Sequence, residues 1–297
     1  ALSAGERMIS VDSKTPVTVT LTDCSSGGLL DATDAVNFGI TYLANAVSVC
    51  EDNKLVICGG VTVNGDVHLN DNAEARITDR ASLKGDKAAF KTSDNTKLFI
   101  EGNSRVEHAQ ATDKTKVRIS GEARVEGRLS VNNEAELVAC DNVTINEILW
   151  QNLAGSPSIS LSGKARVSGE FRIAAYEDDK TVHLTMNDRA QIRGDLLLVG
   201  KGKNIKLILS GDRIDIRGTM EFVNISSSCE NITVEAENAV IVGTDINMPD
   251  VVLKGLFVCS GEIKDGIFDE NGTVTNNGKI TGGIFYGTVF GTANIED

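Results

Sequence analysis

The feature that most constrains this chain is a frame that recurs along it. VTVNGDVHL from Val61, ASLKGDKAA from Ala81, ARVEGRLSV from Ala123, ARVSGEFRI from Ala165, AQIRGDLLL from Ala190 and IDIRGTMEF from Ile214 share one order: small or apolar, any, apolar, any, Gly, any, then usually apolar, any, apolar. Weaker copies, SRVEHAQA from Ser104, VTINEILW from Val143 and AVIVGTDI from Ala239, put His108, Glu147 and Gly243 in the Gly place. That place falls at positions 65, 85, 108, 127, 147, 169, 194, 218 and 243, at intervals of 19 to 25 residues. A second short apolar run precedes it in many copies, as in LFIEGN, VRISGE, ISLSGK and LILSGD. No segment inside the repeat has helix length. An antiparallel sandwich also has short strands and turns, but not a one-way repeat with the same corner residue each time. The reading is an all-β, right-handed parallel β-helix, a solenoid with coils of about 20–25 residues and a short N-terminal capping helix. The right hand follows the general preference of parallel crossovers. Gly in the corner is expected to supply positive φ.

The chain has 297 residues, of which 41% are apolar but only 4% aromatic, so Val, Ile, Leu and Ala must fill the core. There are 29 Gly and 3 Pro, which leaves the turns to Gly, Asn and Asp. The net charge of −13 argues against a general nucleic-acid partner, which needs a clustered positive field. No run of 18 apolar residues exists, so no membrane span is expected. The six Cys (24, 50, 58, 140, 229 and 259) include no C-x-x-C, and the three His are far apart, so no metal and no cofactor is expected. Most of the thiols are read as free core residues; Cys50 and Cys58 also have the spacing to pair across a turn.

The ends differ from the middle, dividing the chain into residues 1–50, 51–254 and 255–297. In Asp31 to Val49, apolar residues at 35, 36, 40, 43, 44 and 47 have helical spacing, which predicts the capping helix. Asp31, Thr33, Ala35 and Val36 there resemble the D-x-T-x-A-(I/V) opening of pectate-lyase-like β-helix proteins and phage tailspikes. That resemblance implies a helix that plugs the first coil, and for tailspike-like chains a homotrimer. After about residue 255, GEIKDGIF and GKITGGIF recur 17 residues apart and resemble Gly-x-Phe-x-Gly repeats of bacterial surface proteins. Narrower coils or a terminal sheet are expected, with Phe268, Phe285, Tyr286 and Phe290 mainly in the core.

Catalytic motifs are scarce. The paired-Asp and Gly-His-Gly signatures of pectinase-like hydrolases are missing, as are P-loop, Gly-x-Ser-x-Gly and His-Glu-x-x-His patterns. The acids of YEDDKT, Tyr176 to Thr181, are read as a solvated turn. The informative feature is columnar. Residues in one slot of successive coils stack, and the third slot before the Gly place holds Arg105, Arg124, Thr144, Arg166 and Gln191. The slot just before it holds Glu107, Glu126, Asn146, Ser168, Arg193 and Arg217, with Arg189 and Arg213 nearby. The first reading is a salt-bridge ladder on a solvated face. The second is a groove for acidic glycans with Arg166, Arg189, Arg193, Arg213 and Arg217 as donors, because the guanidinium fork suits carboxylate and sulfate. Trp150, the only Trp, follows Leu149 in its frame and is read either as an outward sugar platform or as filler for a bend. Arg193-Gly194-Asp195 matches an adhesion tripeptide by composition, but the frame explains it as one corner among many.

Together these features predict a non-catalytic structural or adhesion protein, a viral tail or capsid appendage or a bacterial surface protein. Its expected partner is an acidic polysaccharide or cell-surface glycan, outside the cell or on a virion. Reduced thiols would instead favour an intracellular scaffold. The competing prediction is a polysaccharide lyase or glycoside hydrolase on the same fold, for which no catalytic residue is assigned.

Overall fold

In-register stacking of like residues explains the architecture. The computed structural model describes residues 8–11, 15, 18–21, 41–84, 89–153, 157–225, 229–243, 245–291 and 294–295. These contain β-strands and no helix. The strand pairings whose register is defined are all parallel, each coil to the next, which makes the fold an all-β parallel β-helix. The chain forms two compact units, one of residues 1–131 and 135–146, the other of residues 132–134 and 147–297.

In the first unit, strands Lys54–Ile57, Glu74–Ile77, Lys97–Ile100, Lys116–Ile119 and Glu136–Ala139 form one sheet column. Leu55, Ala75, Leu98, Val117 and Leu137 stack in one buried row, and Ile57, Ile77, Ile100, Ile119 and Ala139 in another. A second column carries Val63, Leu83, Val106 and Val125, and a third carries Val67, Phe90, Ala109 and Leu129; all of these side chains are buried. One coil exposes the apolar faces of its strands above and below. Stacking removes them from water, at about 1.5–3 kcal/mol for each fully buried Leu, Ile or Val.

The tight turns lie away from the Gly place of the frame and use Asp as well as Gly in the left-handed region. Asp71, Asp94, Asp113, Asp141 and Asp188 have φ of 61°, 58°, 56°, 66° and 61°. Their carboxylates reach back to the preceding coil: Asp71, Asp94 and Asp113 accept the N–H of Glu51, Asp71 and Asp94, at 3.3, 3.2 and 3.4 Å. Asp141 and Asp188 accept the N–H of Gly121 and Gly163 at 3.0 and 2.9 Å. Asp tolerates the left-handed region because its short polar side chain can hydrogen-bond locally. By contrast Gly127, Gly194 and Gly218, which occupy the Gly place, are not in the left-handed region. They are required by close approach. A Cβ on Gly194 would lie 2.2 Å from the carbonyl oxygen of Gly169, and one on Gly127 would lie 2.3 Å from the His108 ring. Positive φ is therefore not the common reason for Gly at this corner, although Gly65 does have a φ of 134°.

The second unit repeats the plan. Ser158–Leu161, Thr181–Met186, Lys206–Ser210 and Ile232–Gly243 stack in one column. Arg166–Val167, Gln191–Ile192 and Arg213–Ile216 form the next, and Phe171–Ala175, Leu196–Gly200 and Thr219–Asn224 the third. Pairing departs from the frame at Ile214, which in place of Ile216 pairs with Ile241, two residues from the alignment drawn through Gly243. A two-residue slip keeps the same side chains facing inward, so the core accommodates it. Ile232–Gly243 takes up further irregularity in a register shift between Glu235 and Val240. The coils then narrow. Ile263 pairs with Ile280 and Phe268 with Phe285, matching the 17-residue repeat, and Thr273 pairs with Thr288 in a shorter coil. Phe268 is buried, edge-on to Phe257 at 5.6 Å and stacked on Phe285 at 4.7 Å. Tyr286 and Phe290 are exposed, so only part of the expected aromatic core forms.

The expected capping helix is corrected where it is described. Thr41–Val49 is a strand that pairs with Met8–Val11 and with Thr62–Leu69. Buried Val47 and Val49 flank half-buried Ser48, the period of a strand, and two parallel neighbours satisfy the backbone. Residues 31–40 of that segment lie outside the described residues. Among the described cysteines, Cys50, Cys58, Cys140, Cys229 and Cys259 are all free thiols, but only Cys259 is buried; Cys24 lies outside the described residues.

Candidate functional site

Parallel pairing turns three slots of the frame into three rows on the outside of the second unit. Arg166 pairs with Gln191, and Gln191 with Asp215. Two residues earlier the same alignment runs through Lys164, Arg189 and Arg213, and two residues later through Ser168, Arg193 and Arg217. Inward residues Val167, Ile192 and Ile216 fix these strands to the core. The outward grid thus holds six cations and one anion, in a chain whose net charge is −13.

Asp215 is the centre of the grid. It points outward yet is only 6% exposed, because Gln191 and the flanking arginines cover it. Gln191 Nε2 donates to Oδ2 at 3.0 Å, and Arg217 Nη2 donates to the same oxygen at 3.0 Å. Arg217 Nε stands 2.9 Å from Oδ1, a close ion pair whose N–H is not aimed at that oxygen, so Oδ1 is left without a hydrogen bond. Arg193 Nε donates to Gln191 Oε1 at 3.4 Å, which completes a chain from Arg193 through Gln191 to Asp215 and Arg217. Arg213 reaches Asp215 only at 4.0 Å. Among the described residues, the side chains of Lys164, Arg166 and Arg189 make no ion pair. The nearby acids serve the backbone: Asp188 accepts from Gly163 N at 2.9 Å, and Asp195 from Thr219 N at 2.8 Å. A shallow depression of about 300 Å³ lies over the grid, lined by Asp188, Arg189, Ala190, Gln191, Arg213, Asp215 and Arg217.

The same slots in the first unit carry mixed charge. There Arg105 pairs with Glu126 of the next coil at 3.4 Å. One cross-coil ion pair thus forms in these slots of the first unit, whereas in the second unit Ser168, Arg193 and Arg217 stand where the first has Glu107 and Glu126. Four of the five sequence-predicted arginines, Arg189, Arg193, Arg213 and Arg217, come together on two adjacent coils, and Arg166 lies one coil away. Lys164 was missed although it sits in the Arg189 row. Gln191 was visible as a slot residue, but its bond to Asp215 was not, since the cover over that carboxylate depends on how the flanking arginines fold.

Trp150 is corrected. It is fully buried, packed at a tilt 6.5 Å from Phe171, so it fills the core and offers no sugar platform. Ile148 pairs with Phe171 and Trp150 with Ile173, which places Trp150 in an inward row. Arg193-Gly194-Asp195 forms the corner between Gln191–Ile192 and Leu196–Gly200. Its Asp195 carboxylate holds the next coil. The YEDDKT acids are engaged as well: Asp178 accepts from Lys203 N at 2.7 Å, Asp179 from Asn204 Nδ2 at 2.7 Å, and Glu177 pairs with Lys180 at 2.7 Å. Burial pushes the Cys140, Cys229 and Cys259 thiols up from their usual range, which keeps them protonated at neutral pH. Among the described residues no three His, Cys, Asp or Glu side chains converge as a metal site, and no helix is long and apolar enough to cross a membrane.

Set against known protein families, curated proteins and solved structures, the chain matches none.

Proposed function

We propose that this chain is a non-catalytic β-solenoid binding protein, of the appendage or surface-adhesion kind, that holds acidic polysaccharide on the arginine grid of its second unit. The observation that carries this reading is the concentration of under-compensated arginines on an otherwise acidic chain. Paired surface charges contribute little to stability, about 0–1 kcal/mol, and like charges stacked at coil spacing oppose it. A column of arginines whose neighbouring acids are tied to backbone amides is thus poor as a structural device and well suited to an anionic ligand. The resemblance of Asp31 to Val36 to pectate-lyase-like and tailspike openings, and of the C-terminal repeats to bacterial surface proteins, supports the same class, and for tailspikes implies a homotrimer. Light scattering that returns a single-chain mass removes the trimer.

Binding to immobilised acidic and neutral polysaccharides tests the function. Retention on the acidic set alone, weakened in Arg189→Gln/Arg213→Gln, is expected. Equal retention of wild type and this variant removes the grid from the reading. The resemblance also implies a polysaccharide lyase or hydrolase, and release of reducing ends or unsaturated products by the purified chain would replace binding with catalysis.

A further inference from the structure

We propose that Arg189 and Arg213 form a subsite for a tetrahedral oxyanion ester, sulfate or phosphate, so that the face selects esterified glycans over those carrying only carboxylates. This rests on the acidic-polysaccharide reading above and narrows it.

Two classes of guanidinium share the grid. Arg193 and Arg217 are held by the Gln191–Asp215 chain, and Arg217 Nη2 and Gln191 Nε2 both donate to Asp215 Oδ2. Arg213 reaches that oxygen only at 4.0 Å, beyond hydrogen-bond range. Arg189 makes no ion pair or side-chain hydrogen bond among the described residues, and Asp188 beside it accepts from Gly163. Arg189 and Arg213 are both exposed, line the same depression, and sit on consecutive coils, about 4.8 Å apart in the sheet direction. Both line one depression with most of their donors unused.

The ligand chemistry follows from counting acceptors. A carboxylate has two oxygens in one plane, and one bidentate guanidinium fork takes up the side on which both oxygens face it. A second fork at coil spacing then gains little and still repels the first. A sulfate or phosphate ester presents three outer oxygens around a tetrahedral centre, enough to accept from both forks at once and to place negative charge between them. Arg193 and Arg217 are fixed in orientation and serve the flanking charges of the polymer.

Dextran sulfate, dextran phosphate and carboxymethyl dextran of matched charge density share one backbone and separate the group from the polymer. Titration calorimetry at neutral pH and constant salt reads the affinities. Wild type should bind dextran sulfate about tenfold tighter than carboxymethyl dextran. Arg189→Gln/Arg213→Gln should bring that ratio to about one, with circular dichroism unchanged because both side chains are exposed, while Arg193→Gln should weaken both ligands and leave the ratio. Dextran phosphate tracking the sulfate supports a general tetrahedral subsite; dextran phosphate tracking the carboxymethyl polymer, with sulfate still tighter, narrows it to sulfate. Equal binding of all three, or a ratio that survives in the double variant, overturns the subsite and leaves the polysaccharide reading standing. Binding of none overturns both.

Discussion

At the residue scale, the Gly places differ in how much they need Gly. A Cβ at Gly194 meets the Gly169 carbonyl oxygen at 2.2 Å, backbone that no rotamer change can move, so coils must separate or shear. Gly194→Ala should cost about 1–3 kcal/mol, the range for overpacking a tight site. At Gly243 the nearest atom to a Cβ is 3.8 Å away. Gly243→Ala should be neutral or stabilising by up to about 1 kcal/mol, through the unfolded chain. Paired thermal unfolding of the two variants checks this; equal losses would refute the close-approach account. Trp150 gives a second residue-scale test. Its indole Nε1 has no partner and its ring no exposure. Trp150→Phe should therefore cost less than about 1.5 kcal/mol and Trp150→Ala about 3–5 kcal/mol. Because it is the only Trp, its fluorescence should resist acrylamide quenching and stay unchanged when polysaccharide binds.

At the element scale, the Asp turns join the coils as much as the strands do. Asp94 has φ 58°, accepts the Asp71 N–H at 3.2 Å, and offers its own N–H to Asp113 at 3.4 Å. Asp94→Asn keeps both the tolerance of left-handed backbone and an acceptor, and should change stability by less than about 0.5 kcal/mol. Asp94→Ala loses both and should cost about 1–3 kcal/mol, with faster hydrogen exchange at the Asp71 amide. A loss confined to Asn, or none in Ala, would assign the turn to the strands alone. These turns also show what the sequence revealed and what it hid. The Gly frame was legible because close packing between coils leaves no other residue in several of those places. The slip at Ile214 was hidden because a two-residue shift preserves the inward pattern. The segment ending at Val49 misled because its apolar spacing suits a helix while Val47 and Val49 suit a strand, and only the neighbouring strands decide. The arginine columns were legible as spacing. The cover over Asp215 was not, since burial of an outward carboxylate arises from side chains two residues away on either side and one coil above.

At the scale of the whole molecule, the net charge of −13 sets how the arginine grid can act. A polyanion approaching this chain is repelled by most of its charge and attracted over one face, so binding must be short-ranged and confined to the grid. Each phosphate, sulfate or carboxylate seated on an arginine releases a counterion, so affinity falls as salt rises. If Arg189 and Arg213 share one charge and Arg193 and Arg217 each seat one, log affinity against log salt should have a slope of about −2 to −3, by the counterion-release relation. Arg189→Gln/Arg213→Gln should make that slope shallower by about one, whereas removing the first-unit cation Arg105, already paired with Glu126, should leave it unchanged. Titrations with dextran sulfate from about 50 to 200 mM salt read both slopes. A slope near zero would mean that hydroxyl contacts, not the guanidinium columns, hold the ligand, and an equal change on removing Arg105 would mean that the whole surface, not the grid, attracts it.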